Sequence, residues 1–111
     1  MATTYKRLGA AAGNGTIATA STLYTVPAST ATVISTITVC NTSGTAGTFS
    51  ISSSTTTSFI SGQEIVYQAA IAGNDTIGLT FGMTLDTTNK YLLVSSSAAT
   101  IMFSVFGSEI A

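Results

Sequence analysis

No histidine occurs among the 111 residues of this chain. That removes the commonest general base and the commonest metal ligand. Charge is nearly absent too: three basic and four acidic residues make up 6% of the sequence, against roughly 25% in ordinary globular proteins. With a net charge of −1 and one basic pair, Lys6-Arg7, the chain cannot neutralise a run of phosphates, so nucleic acid is not an expected partner. Cys40 is the single cysteine. It cannot form an internal disulfide, nothing on its threonine-rich strand activates it, and it reads as a small buried apolar residue. No apolar run approaches the roughly 18 residues of a membrane-spanning helix, so no membrane partner is expected. The opening MATTYKRLGAAAGNG lacks the apolar core of a signal peptide, and export by that route is not expected.

The acidic residues Glu64, Asp75, Asp86 and Glu109 are scattered, so a catalytic pair would need the fold to bring two together. Asp75 and Asp86 lie in turn contexts, where bonding to nearby backbone N–H groups accounts for them. Asp75, Asp86 and Asn89 supply too few ligands, at the wrong spacing, for a calcium loop. Gly9, Gly13 and Gly15 are not followed by the Lys-Ser/Thr of a phosphate loop. No catalytic residue, metal site or cofactor is expected, and the protein is not read as an enzyme.

Threonine, serine and apolar residues fill the space that charge leaves. The stretch Thr32 to Asn41, TVISTITVCN, is mostly β-branched and alternates along its length, as a strand with one face in a core does. Strict alternation places Val33, Ser35, Ile37 and Val39 on one side, and Thr32, Ile34, Thr36, Thr38 and Cys40 on the other. Leu23 to Val26 forms a short strand stopped by Pro27, the only proline, which belongs at a strand end or a sheet edge. Thr48 to Ser52 sends Phe49 and Ile51 inward, and Ser53 to Ser58 is a polar loop. Glu64 to Ile71 is expected to set Ile65, Tyr67, Ala69 and Ile71 against Glu64, Val66 and Gln68. Ala72 to Asp75 turns the chain into Thr76 to Phe81, with Ile77, Leu79 and Phe81 on one face. Met83 to Lys90 reads as a connection with room for a helical turn. Tyr91 to Ser95 is apolar on both faces. In the last strand, Thr100 to Phe106, Ile101, Phe103 and Val105 oppose Met102, Ser104 and Phe106.

About seven or eight short strands and no amphipathic helix predict an all-β protein. The expected fold is a single antiparallel β-sandwich, jelly-roll or immunoglobulin-like, over residues 16–111, preceded by an extended N-terminal arm and linker over residues 1–15. A surface so poor in ionic groups suits a subunit covered by its neighbours better than a free monomer. The residues expected to touch a partner are Tyr5 and Leu8 as apolar anchors, Lys6 and Arg7 as charges, and Met102 and Phe106 on the second apolar face of the last strand. Deletion of residues 1–8 is expected to weaken assembly and leave the domain folded.

Short stretches spread over nearly the whole chain also carry a family resemblance. They are YKRLG (Tyr5 to Gly9), LYTVPA (Leu23 to Ala28), STITVCN (Ser35 to Asn41), GNDT (Gly73 to Thr76) and FGSEI (Phe106 to Ile110). Together they resemble a family of small virion structural proteins of tailed bacteriophages, cyanophages among them. The resemblance implies a non-enzymatic part of the virion, assembled in the host cytoplasm. Within that class it implies a capsid decoration (cement) protein: a β-sandwich whose partners are itself, as a homotrimer, and the major capsid protein or other virion proteins. A tail, neck or baseplate component, or a fibre-associated adhesin module, is the alternative. Closed cyclic symmetry would cover the uncharged faces and limit open-ended association.

Overall fold

A computed structural model describes residues 3–111. Among them no helix forms, and the elements are eight strands: β1 (Thr3–Ala12), β2 (Ser21–Thr25), β3 (Ala31–Asn41), β4 (Gly47–Ser54), β5 (Glu64–Ile71), β6 (Thr76–Leu85), β7 (Tyr91–Ser96) and β8 (Ile101–Ile110). β4 pairs with β5, β3 with β6, β2 with β7 and β1 with β8, all antiparallel. The chain is thus one long hairpin, its tip at the β4–β5 loop. Further pairings of β3 with β8 and β4 with β7 close it into two four-stranded sheets, β1-β8-β3-β6 and β2-β7-β4-β5. That is the jelly-roll order, and it decides between the two topologies that the sequence leaves open.

The sandwich is held by the inward faces of both sheets. Ile37, Val39, Ile101 and Val105 from the first sheet meet Ile51, Leu92 and Val94 from the second, all fully buried. Each contributes about 1.5–3 kcal/mol through removal from water. Phe49 on β4 and Phe103 on β8 meet edge to face, with ring centroids 6.2 Å apart, a preferred arrangement of two aromatic quadrupoles. Alternation read from the sequence holds in β4, β6 and β8, and β7 is buried on both faces as expected. Pro27 follows β2, an edge strand.

The structure departs from the sequence reading in specific places. Thr3–Ala12, within the expected arm, is edge strand β1, paired along its length with β8. The sandwich therefore begins before residue 16; Met1 and Ala2 of the expected arm lie outside the described residues. In β3 the register shifts between Ile34 and Thr36. Ser35 is the extra residue opposite β8, so Thr32 and Ile34 turn inward together with Ile37 and Val39, while Val33 turns out. A β-bulge reverses the phase of everything beyond it.

β5 carries a second reversal. Its ladder to β4 passes from Phe49↔Ala69 to Ile51↔Val66, so Val66, Ala69 and Ile71 pack against the core while Ile65 and Tyr67 are exposed. Met83–Leu85 extends β6, and no helical turn follows.

Gly107 explains where the β3 bulge sits. A Cβ at this position would overlap the carbonyl oxygen of Val33. Its absence lets the β3 backbone close on β8. The β1 bulge at Leu8 lies at the same level of β8, between Arg7↔Phe106 and Gly9↔Val105.

Candidate interaction face

The outward face of the β1-β8-β3-β6 sheet follows from these registers. One row across it is Ala12, Met102, Cys40 and Thr76; the next is Ala10, Ser104, Thr38 and Gly78. Beyond them lie Arg7, Phe106, Thr36 and Thr80, then Tyr5, Ser108, Val33 and Thr84. The residues that point outward on β6 are small or hydroxylated throughout, Thr76, Gly78, Thr80 and Thr84 among them, and all are exposed. Arg7 is the one charged residue in these rows. Met102 is 38% exposed and Tyr5 65%. The Tyr5 hydroxyl lies 3.0 Å from Ser35 Oγ, which ties the edge strand's aromatic ring to the β3 bulge.

Of the residues expected to touch a partner, Tyr5, Arg7, Met102 and Phe106 share this face. Lys6 and Leu8 do not. Leu8, next to the outward Arg7, faces the sandwich and packs against the core. Lys6 pairs with Gly107 in the ladder and reaches Glu109, Nζ to Oε1 3.0 Å. Cys40, read as buried, is half-buried on the outward face.

A polar cluster that the sequence does not announce closes one end of the sandwich. Glu109 Oε2 accepts from the Tyr24 hydroxyl at 2.6 Å. The Tyr24 oxygen lies 2.8 Å from Thr32 Oγ1. With the tyrosine proton committed to the carboxylate, the fully buried Thr32 hydroxyl donates to Tyr24. Burial and the neighbouring carboxylate push the Tyr24 hydroxyl up to about 12. The Tyr24 bond and then the Lys6 ammonium hold Glu109 below the usual carboxylate range. Lys6, on β1, is half-exposed, and such a pair is worth at most about 1 kcal/mol. The cluster joins β1, β2, β3 and β8, and its members satisfy one another.

Among the described residues no three of His, Cys, Asp and Glu come together as a metal site would require. Asp86 Oδ1 accepts from the backbone N–H groups of Thr88 and Asn89 at 2.9 and 2.8 Å, which hold its carboxyl below the ordinary range. Asp75 Oδ1 accepts from the Thr76 N–H. Both are turn-forming residues, as their sequence contexts predict.

No protein-family model matches this chain, and no curated protein matches it in sequence.

Proposed function

We propose that this protein is a non-enzymatic structural protein of a bacteriophage particle. It acts as a capsid decoration (cement) subunit that associates with copies of itself, as a trimer, and clamps neighbouring capsid subunits. The observation that carries this reading is the outward face of the β1-β8-β3-β6 sheet, where Arg7 is the only charge in four rows of the sheet and Met102 and Tyr5 stay exposed. A free sheet face is ordinarily solvated by Lys and Glu. This one offers hydroxyls, methyl groups and a thioether, which suit a dry contact with another protein. The jelly-roll order is consistent with the reading, since viral capsid domains use it, though the fold alone assigns no function.

Copy number on purified particles tests the proposal. A cement protein is present in many copies per head, and heads lacking it lose resistance to heat or low salt. Absence from particles, or a few copies that stay with purified tails, would overturn the cement role. A stable lone monomer at high concentration would overturn self-association.

A further inference from the structure

The outward face of the other sheet is built differently, and it leads to an inference independent of the assembly reading. Two loops lie over it. The β1–β2 connection is held by Ser95 Oγ, which donates to the Ile17 carbonyl at 2.7 Å. The β4–β5 connection is held by Ser52 Oγ, which donates to the Gln63 carbonyl at 2.9 Å, and by Ser54 Oγ, which donates to the Ser58 carbonyl at 3.0 Å. Between the loops a pocket of about 280 Å³ remains open, lined by Ile17, Ser50, Phe59, Glu64, Tyr67 and Gln68, among others.

The pocket sits on strained backbone. Gln68 has φ 48°, and it is the one non-glycine residue within a described strand to have a positive φ. A conformation that costs about 1–3 kcal/mol persists where the surroundings enforce it, and such sites cluster at ligand contacts. Here the bulge leaves Ser50 facing Tyr67 and Gln68, and Ser50 Oγ accepts from the Gln68 N–H at 2.8 Å. Ser50 is 6% exposed, and its Oγ lines the pocket while accepting that one bond. A serine hydroxyl that accepts one hydrogen bond still has a proton to donate, and at a pocket wall a ligand can accept it.

The remaining chemistry selects the ligand class. Tyr67 is 68% exposed on the rim, and Phe59 contributes to the wall, so apolar ring surface is available to pack on. No Lys or Arg lines the pocket, which disfavours phosphate and carboxylate ligands. Glu64 offers an acceptor, with its Oε1 already fixed by the Gly62 N–H at 2.6 Å. An apolar ring face, a buried hydroxyl donor, an amide and one carboxylate acceptor match an uncharged polyol with a C–H face. The volume lies near the lower limit of small-molecule sites, roughly 300 Å³, which suits a single ring. We propose that this pocket binds a terminal ring of a neutral saccharide, with its C–H face on Tyr67 and a ring hydroxyl accepting from Ser50.

Nuclear magnetic resonance titration of the whole chain tests this, with glucose, galactose, mannose and N-acetylglucosamine as probes, glucuronate as the anionic comparator and cyclohexanol as the apolar one. At least one neutral sugar is expected to produce saturable shifts at the backbone amides of Ser50, Phe59, Tyr67 and Gln68, with glucuronate weaker. Tyr67→Ala is expected to weaken binding about tenfold or more, the equivalent of about 1.4 kcal/mol, while Tyr67→Phe retains it. The exposed position of Tyr67 keeps both variants folded. The proposal is overturned if no neutral sugar shifts these amides, if Tyr67→Ala binds like the wild type or Tyr67→Phe loses binding as Tyr67→Ala does, or if cyclohexanol or glucuronate binds there as well as the best sugar.

Discussion

The Tyr24 hydroxyl donates to Glu109 Oε2 at 2.6 Å across 85 residues of sequence, and the bond ties β2 of one sheet to β8 of the other. Its pH dependence has two limbs. Glu109 titrates below its unfolded value in the fold, so its contribution is present above the ordinary carboxylate range and is lost as pH falls through and below that range. Tyr24 titrates above its unfolded value of roughly 10, at about 12, so its contribution is complete below about pH 10 and is lost as pH rises toward 12. Tyr24→Phe removes the bond and is expected to cost about 1.5 kcal/mol at neutral pH. Urea unfolding of both proteins across pH should show this gap flat near neutrality and shrinking in acid and in alkali. A gap that does not change between pH 7 and 12 would show that the hydroxyl proton contributes nothing.

Ile34 and Val33 are neighbours whose roles the β3 bulge exchanges. Ile34 is fully buried in the core, while Val33 turns outward beside Thr84. Ile34→Ala is expected to cost about 2–5 kcal/mol as an uncollapsed core cavity, and Val33→Ala less than about 1 kcal/mol. Chemical denaturation of the two variants measures both. Equal losses, or a larger one at Val33, would mean that strict alternation runs through the strand and no bulge reverses it.

That pair also shows where the sequence is legible. Phe49 and Ile51 in β4, and Ile101, Phe103 and Val105 in β8, point inward as alternation predicts, because no bulge interrupts those runs of residues. The turns at Pro27 and at Gly73-Asn74-Asp75 are equally readable, since ring geometry and the positive φ of Asn74 are properties of the residues themselves. Ser35, Leu8 and the Tyr67-Gln68 pair are different. Each is a shift in the ladder to a partner strand, which alternation along one strand does not reveal, and at Ser35 the missing side chain of Gly107, far along the chain, makes room for it. β1 is not legible as a strand because its inward positions include Lys6, Gly9 and Ala11, which show no apolar alternation. Its strand character comes from the β8 edge it completes. The candidate face is half legible: Met102 and Phe106 announce an apolar outer side of β8, but only the sheet order brings Tyr5 and Arg7 beside them. Lys6, Tyr24 and Glu109 meet only because of the fold, and nothing local marks the cluster.

Gly107 gives a steric test of the same junction. Gly107→Ala would place a methyl group against the Val33 carbonyl oxygen and Ile34 Cα, both backbone atoms that cannot rotate aside. The expected loss is about 1–3 kcal/mol, typical of overpacking. At Gly78, on the outward face of β6, a Cβ meets nothing within 4 Å, and Gly78→Ala should stay within about 0.5 kcal/mol of the wild type. Thermal unfolding distinguishes the two. Similar midpoints would mean that β3 and β8 do not approach as closely at the bulge as the fold requires.

Truncation of the N-terminus is not a clean test of assembly, because Thr3–Ala12 completes a sheet and Leu8 packs on the core. Losing this strand would strip β8 of its ladder to β1, leaving only that to β3, as well as any partner contact. A charge placed on an already exposed side chain separates the two effects. Met102 and Ile65 are exposed almost equally, 38% and 37%, but Met102 lies on the outward face of β8 and Ile65 on β5 of the other sheet. Met102→Asp and Ile65→Asp should therefore perturb the isolated fold to a similar, small extent. Only Met102→Asp would bury an unpaired carboxylate in the proposed contact, at a cost of several kcal/mol. It is expected to abolish self-association in analytical ultracentrifugation and incorporation into particles, and Ile65→Asp to leave both intact. If the two variants lose assembly alike, general surface charge is responsible and the β1-β8-β3-β6 face is not the contact. If Ile65→Asp alone is defective, the interface lies on the opposite sheet.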